Sequence, residues 1–134
     1  MADEAAKAAA QVHRKDRAED RGKGRDGLAW LELDAPPLNL LSWALRSALW
    51  QAVEAAEADP AVRGLVISAA GRSFPAGSDI AELDQPPLAP SLSDLCDRIE
   101  ACTKPVVAAL HGTALGGGLE LALAAHGRVA LAQA

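Results

Sequence analysis

The chain has 134 residues, 50% of them hydrophobic, so it is long enough to bury one modest core and too short for two full domains. Its formal net charge of −5 argues against a broad surface for nucleic acid or anionic lipid, since such surfaces need clustered lysine and arginine. No apolar run reaches the roughly 18 residues of a membrane span, and the N-terminus has no apolar signal-peptide centre.

Residues 1–26 form a segment of mixed charge before the first apolar run. They contain seven of the thirteen Lys and Arg residues together with six acidic residues, and no Leu, Ile or Phe. Because such a segment offers no core face, we predict a charged, mobile N-terminal extension. A basic arm that binds nucleic acid is the alternative, but the interspersed acidic residues weaken it.

A strand and a helix are predicted next. The apolar pattern of residues 28–33 predicts a strand, which Pro36-Pro37 ends because proline cannot donate to a sheet. Ser42 is typical of a helix N-cap, and Asp59-Pro60 ends the helical pattern. The apolar residues at helical spacing between them are Leu45, Leu49, Val53 and Ala56. This order of elements starts an α/β pattern.

The middle of the chain continues this pattern. Residues 64–69 and 105–110 are continuous apolar runs, typical of strands buried in a parallel sheet. Between them lie a turn at 71–74, a proline-rich loop at 85–91 and a helical pattern formed by Leu92, Leu95 and Ile99. The alternation predicts an α/β fold.

The stretch 111–120 combines three consecutive glycines, a helix start and one carboxylate. The glycines let the backbone approach a ligand closely, and the helix predicted at 119–124 has unpaired N–H groups at its start. Such donors stabilise developing negative charge, as in an oxyanion hole. The structural alternative is a tight turn between packed elements. A triphosphate loop is disfavoured, because Gly118-Leu119 stands where Lys and Ser or Thr are needed.

Two motifs, in this order, carry a resemblance to a known family. The first is Phe74-Pro75-Ala76-Gly77-Ser78-Asp79-Ile80, and the second runs from Lys104 to Gly112 and from Ala114 to Ala122. Together they resemble the enoyl-CoA hydratase/isomerase (crotonase) family, most closely the N-terminal hydratase/isomerase domain of bifunctional 3-hydroxyacyl-CoA dehydrogenase enzymes of fatty-acid β-oxidation. The resemblance covers residues 27–134 and implies the N-terminal half of a crotonase-like ββα spiral.

The resemblance also implies a reaction and its site. It assigns the two backbone N–H groups that hold the thioester carbonyl to Ala76 and Gly117, and one acid/base carboxylate to Glu120. The residues implied to bind substrate are Ala76, Gly77, Ser78, Asp79, Ile80, Gly116 and Gly117. The implied reaction adds water to a trans-2-enoyl-CoA, with coenzyme A as part of the substrate and no separate cofactor.

The chain also departs from the family pattern. Family domains run to roughly twice this length, and the resemblance implies a second catalytic glutamate on a segment after Ala134. Pro75 removes one N–H beside the implied oxyanion site. We therefore expect an acyl-CoA site with impaired activity. The alternative is an inactive chain with a binding or assembly role, either as a homo-oligomer or with a missing C-terminal half.

The remaining candidate groups are interpreted as structural. Cys96 and Cys102 lack the neighbouring ligands of a zinc site. His111 and His126 have no partner at metal-ligand or catalytic-triad spacing. Asp79 has a structural alternative as the cap of a short helix. We expect a cytoplasmic protein that binds no metal, nucleic acid or membrane.

Overall fold

Five strands form one sheet in the computed structural model, which describes residues 10–15 and 27–134. The strands are β1 (Gln11–Lys15), β2 (Leu28–Asp34), β3 (Gly64–Ala69), β4 (Val106–Leu110) and β5 (Gly127–Ala130). Their order in the sheet is their order in the sequence. β1 runs antiparallel to β2, whereas β2 to β5 are mutually parallel. The carboxyl ends of the four parallel strands therefore share one edge of the sheet.

Helices connect the parallel strands. They are α1 (Trp43–Ala58), α2 (Leu92–Glu100) and α3 (Gly117–Ala124), with a 3₁₀ turn at Ile80–Glu82. α1 contacts α2, and α2 contacts α3. The core lies between helices and sheet, and its fully buried residues include Leu31, Leu33, Leu45 and Leu49. The predicted α/β fold is confirmed, and no helix in the described ranges is long and apolar enough to cross a membrane.

β1 lies in the N-terminal segment for which composition predicts a mobile extension. Gln11–Lys15 pairs antiparallel with β2. His13 Nε2 lies 2.9 Å from a carboxylate oxygen of Asp34, and Lys15 Nζ lies 3.0 Å from Glu32. The prediction is wrong for these five residues, because polar strands are stabilised by cross-strand pairs that apolar content does not reveal. Apart from Ala10, the rest of the predicted extension lies outside the described residues.

The predicted cap of α1 is confirmed, and α2 has a cap that the sequence analysis does not predict. The hydroxyl of Ser42 accepts the Leu45 N–H at 3.2 Å and caps α1. Ser91 and Asp94 cap α2 reciprocally, each side chain accepting the other residue's backbone N–H at 3.0 Å. These caps satisfy N–H groups that have no partner within their helices.

Glu57 joins α1 to α2 and to the residues before β4. Its carboxylate accepts hydrogen bonds from Arg98 Nη2 at 2.9 Å and from the Thr103 N–H at 2.7 Å. These bonds, together with one from the Cys102 thiol, lower the pKa of Glu57 from 4.5 to about 2. The ionised carboxylate is therefore the form that stabilises this end of the sheet.

This lowered pKa predicts a pH-dependent contribution to stability. Because the pKa of Glu57 is lower in the folded than in the unfolded chain, its contribution is present above pH 4.5 and is lost as the pH falls toward 2. We expect Glu57→Gln to have a lower Tm than the parent at pH 7, with a difference that narrows at acid pH. Thermal unfolding between pH 7 and 2 measures this, with exposed Glu100→Gln as the control. A Tm difference independent of pH would contradict the assignment.

Candidate active site

Three loops meet at the carboxyl edge of the sheet, where α/β folds commonly bind ligands. They follow β2, β3 and β4 and comprise residues 35–41, 70–78 and 111–116. The first family-like motif lies mainly in the second loop. The second motif passes through the third loop into α3. The fold therefore brings the two motifs to the same place.

Asn39 holds the first two loops together. Its side-chain oxygen accepts the Ala35 N–H at 2.7 Å, and its side-chain nitrogen donates to the carbonyls of Ala70 at 2.9 Å and Ser73 at 2.8 Å. The residue is 1% exposed and has a φ of +54°, a left-handed conformation that asparagine tolerates better than most residues. The Asn39 side chain thus fixes the positions of the first two loops relative to each other.

Removing this side chain is expected to loosen both loops. Asn39→Ala leaves up to three buried or partly buried backbone groups without partners, each costing up to about 1–3 kcal/mol, and places alanine at a positive φ. We expect a loss of roughly 3 kcal/mol in the free energy of unfolding. Urea denaturation measures it, and Ser42→Ala, which removes only a helix cap, should cost about 1 kcal/mol. An Asn39→Ala loss no larger than that of Ser42→Ala would contradict this role.

Backbone contacts join the second loop to the third. The Phe74 N–H donates to the His111 carbonyl at 2.8 Å. Gly112 has a φ of +63°, and a Cβ there would lie 2.3 Å from the Arg72 carbonyl oxygen. Because a side chain does not fit at this contact, glycine is required. The loops carrying the two motifs are therefore in direct contact.

The start of α3 also lies against the second loop. A Cβ on Gly118 would lie 1.6 Å from the Pro75 carbonyl oxygen, far inside van der Waals contact. A Cβ on Gly117 would lie 2.7 Å from Ser78 Oγ and 3.0 Å from Leu92 Cδ2. These glycines permit a close backbone approach, as their run predicts, and the segment that approaches here is the first motif.

The backbone donors beside Gly117 differ from the pair implied by the resemblance. The Ala76 N–H donates to the Leu38 carbonyl at 3.2 Å and is therefore already paired. The Ser78 nitrogen lies only 3.4 Å from the position of a Cβ on Gly117. Within residues 10–15 and 27–134, neither the Ser78 N–H nor the Gly117 N–H donates to a protein acceptor. The geometry favours Ser78, in place of Ala76, as the partner of Gly117.

Glu120 lies in the first turn of α3, beside these donors. It follows Gly117 by three residues, a spacing that places both on the same side of the helix. Its side chain is exposed, and no bond to its carboxylate from the described part of the chain is found. The helix N-terminus stabilises its negative charge. An accessible carboxylate therefore lies in the same helical turn as the Gly117 N–H.

The Cys96 thiol of α2 is influenced by the charge of this carboxylate. Burial and the charge of Glu120 raise the pKa of the Cys96 thiol to about 11. The thiol is therefore protonated at neutral pH, and only the thiolate is a good nucleophile.

The other candidate residues occupy the surroundings of these groups. Asp79 accepts the Ala81 N–H at 3.0 Å and so caps the 3₁₀ turn, as its structural alternative predicts. Ile80 is 76% exposed, and Gly116 stands at the start of α3 with a φ of +52°. His126 Nδ1 accepts the Val106 N–H at 3.0 Å, a packing role. In the parts of the chain that the structure describes, no three His, Cys, Asp or Glu side chains are grouped to hold a metal.

The sequence patterns do not identify two groups that shape this site. Asn39 carries only a weak signal, an asparagine two residues after paired prolines, which is typical of a turn. Arg46 and Glu82 come together across 36 positions of the chain, at 3.1 Å. Single-sequence periodicity does not report such a pair.

A family model described as "Enoyl-CoA hydratase/isomerase" matches residues 23–134. The match includes both motifs, all three site loops and α3. It starts four residues before Gly27, where the sequence resemblance begins.

Known proteins with similar sequences carry related names. The chain is 48% identical over 103 residues to the "Peroxisomal bifunctional enzyme" of Danio rerio. The match covers 77% of this chain and 14% of that protein. It is 43% identical over 110 residues to the "Probable enoyl-CoA hydratase" of Bacillus subtilis, covering 77% of this chain and 43% of that protein. It is 42% identical over 114 residues to the "Fatty acid oxidation complex subunit alpha" of Shewanella baltica, covering 78% of this chain and 16% of that protein. The chain thus spans less than half the length of each of these relatives.

Solved structures show the same fold. An enoyl-CoA hydratase/isomerase from Xanthobacter autotrophicus Py2 superposes with a TM-score of 0.78 and 29% identity, over 92% of this chain and 47% of that one. The structure of a "putative Enoyl-CoA hydratase/isomerase" from Mycobacterium abscessus superposes with a TM-score of 0.76 and 34% identity. The match covers 92% of this chain and 49% of that one. The predicted crotonase-like fold is confirmed, and the chain corresponds to about half of the fold in these structures.

Proposed function

The chain belongs to the enoyl-CoA hydratase/isomerase family, and from this premise we propose that it binds acyl-CoA thioesters and adds water to a trans-2-enoyl-CoA in fatty-acid β-oxidation. The name of the Shewanella baltica relative, "Fatty acid oxidation complex subunit alpha", supports a place in fatty-acid oxidation. One observation carries the chemical proposal: the Ser78 nitrogen lies 3.4 Å from the position of a Cβ on Gly117, and the N–H groups of both residues lack protein acceptors in the described structure. The exposed Glu120 follows Gly117 by three residues in α3.

The two N–H groups are proposed to bind the thioester carbonyl oxygen. When an oxygen nucleophile adds to Cβ of the enoyl group, electron density moves through the double bond onto that oxygen and forms an enolate. Preorganised backbone donors stabilise this charge more than the neutral carbonyl, by about 3 kcal/mol each. Gly117 also lies at the start of α3, where the helix dipole favours negative charge.

Glu120 is proposed to act as the acid/base group. Its carboxylate takes a proton from the attacking water, whose oxygen then bonds to Cβ. The protonated Glu120 carboxyl then gives this proton to Cα as the enolate collapses, so that water has been added across the double bond and the carboxylate is regenerated. The exposure of Glu120 leaves its carboxylate accessible to water and substrate.

Hydration of crotonyl-CoA tests this function directly. The loss of enoyl-thioester absorbance reports turnover by the purified 134-residue chain, and a parallel titration with CoA thioesters reports binding. Turnover with saturable binding supports the proposal. Binding without turnover overturns the hydratase activity of this chain while retaining the thioester site. Absence of both overturns the whole proposal.

A second candidate function is binding of a partner polypeptide, and an exposed apolar surface favours it. The exposed residues of α3 and its flanking segments include Leu115, Leu119, Leu123, Val129 and Leu131, at 42–64% exposure. Exposed apolar side chains mark interaction sites where they form a patch. The Xanthobacter structure extends beyond the part that this chain matches, so the proposed occupant is the other half of that fold.

Association measurements test the second candidate. Sedimentation of the chain mixed with the C-terminal half of the Bacillus relative should show a heterodimer, and Leu119→Gln with Leu123→Gln should weaken it. If no heterodimer forms, the second candidate function is contradicted. Self-association alone would instead assign the surface to a homo-oligomer.

A further inference from the structure

Arg46 of α1 connects three segments around the site. Its guanidinium donates to the carbonyl oxygens of Leu41 and Pro90, both at 2.8 Å, and to the Glu82 carboxylate at 3.1 Å. The Arg46 side chain is only 11% exposed. One nearly buried cation therefore links the end of the loop after β2 (residues 35–41), the 3₁₀ turn and the proline-rich loop.

Glu82 and Trp43 complete this cluster. The second carboxylate oxygen of Glu82 accepts the Trp43 backbone N–H at 2.7 Å, and the Trp43 indole N–H donates to the Ala89 carbonyl at 2.8 Å. The carboxylate compensates the charge of Arg46, which a nearly buried guanidinium requires. We call Arg46, Glu82 and Trp43 the Arg46 clamp.

Leu41 connects the Arg46 clamp to the proposed oxyanion site. Its carbonyl accepts from Arg46, and its N–H donates to the Gly77 carbonyl at 3.0 Å. Leu41 is fully buried. Because the Gly77–Ser78 peptide is planar and trans, the direction of the Gly77 carbonyl fixes the opposite direction for the Ser78 N–H. The bond from Leu41 therefore determines where the Ser78 N–H points.

We propose that Arg46 is a positioning residue for the oxyanion site: by holding the Leu41 carbonyl, it keeps the Gly77–Ser78 peptide turned so that the Ser78 N–H can bind substrate oxygen together with Gly117. Arg46 itself bonds to Leu41 and does not need to touch the substrate. The inference rests on the proposed function for its ligand, whereas the peptide orientation is a property of the free chain. Lysine cannot replace the guanidinium, since a single ammonium lacks the planar fork that serves several acceptors.

Ligand preference tests the proposal. Acetoacetyl-CoA forms an enolate readily, whereas butyryl-CoA presents only a neutral thioester, so the ratio of their Kd values reports the oxyanion donors. We expect Arg46→Met and Arg46→Lys to reduce the preference for acetoacetyl-CoA by about 10-fold, because a misoriented donor no longer matches the charged oxygen. Arg98→Met, which breaks another arginine–glutamate pair between helices, is the matched control and should change stability without changing the ratio.

Amide hydrogen exchange in the ligand-free chain supplies a second readout. Arg46→Lys should accelerate exchange at Leu41 about 10-fold relative to core amides such as that of Leu31, since local opening requires only the loss of this restraint. If Arg46→Met does not fold, the lysine variant carries both measurements. An unchanged ligand ratio or unchanged Leu41 exchange in a folded variant overturns the positioning role. A parent chain that binds neither ligand overturns the proposed function instead, and Leu41 exchange still decides whether Arg46 restrains the loop.

Discussion

Replacing Gly118 by alanine should prevent α3 from packing against the loop that follows β3, residues 70–78. The added Cβ would lie 1.6 Å from the Pro75 carbonyl oxygen and 2.6 Å from its carbonyl carbon. Both are backbone atoms, so no side-chain rotation relieves the overlap and the two segments have to separate. We expect a loss of about 4 kcal/mol or more in the free energy of unfolding, a large part of the stability of a small domain.

Urea denaturation, followed by circular dichroism, measures this loss. Gly127→Ala is the matched control, because the nearest atom to its Cβ would be Val107 Cγ2 at an ordinary 3.7 Å. Its stability should stay within about 0.5 kcal/mol of the parent. If Gly118→Ala were as stable as Gly127→Ala, Pro75 and Gly118 would not be in contact. The placement of Ser78 beside Gly117 would then lose its support.

Replacing Glu120 by glutamine should have the largest effect on the proposed reaction. The amide keeps the size of the side chain but cannot accept a proton from water. We expect kcat for crotonyl-CoA hydration to fall by about 10²–10⁴-fold, the usual contribution of a general acid/base group. The Kd for butyryl-CoA should change little, since the proposed thioester contacts are made by backbone N–H groups.

The measurement is made in this chain and, in parallel, in a fusion of this chain with the C-terminal half of a relative's domain. Glu100→Gln removes another exposed carboxylate, outside the candidate site, and serves as the control. Activity of Glu120→Gln within a few-fold of the parent would remove Glu120 from the mechanism. An equal loss in Glu100→Gln would show that net charge, rather than position, is responsible.

Most of the fold could be predicted because its elements have regular apolar patterns. The α1 positions Leu45, Leu49, Val53 and Ala56 are all fully buried, as their helical spacing predicts. Strand β3 matches its predicted residues 64–69. Strand β1 could not be predicted in the same way, since QVHRK contains one large apolar residue and owes its place to pairing with β2.

The candidate site was only partly predictable, because its chemistry depends on backbone directions. The glycine run and the first motif can be recognised in the amino-acid sequence, and the fold brings them together. Which N–H is available is a matter of geometry: Ala76 is paired with Leu38, whereas Ser78 has no acceptor among the described residues. Likewise, Pro75 matters here through its carbonyl, which lies against Gly118, as well as through its missing N–H.

The central claim is that the N–H groups of Ser78 and Gly117 together bind the thioester oxygen. Amide ¹H–¹⁵N spectra during a titration with acetoacetyl-CoA test it most directly, because an N–H that bonds to an oxyanion shifts downfield. We predict large shifts for Ser78 and Gly117 that saturate together, and a small shift for Ala76, whose N–H remains bonded to Leu38. A large shift at Ala76 with none at Ser78, or no saturable shift at either proposed donor, would contradict the account.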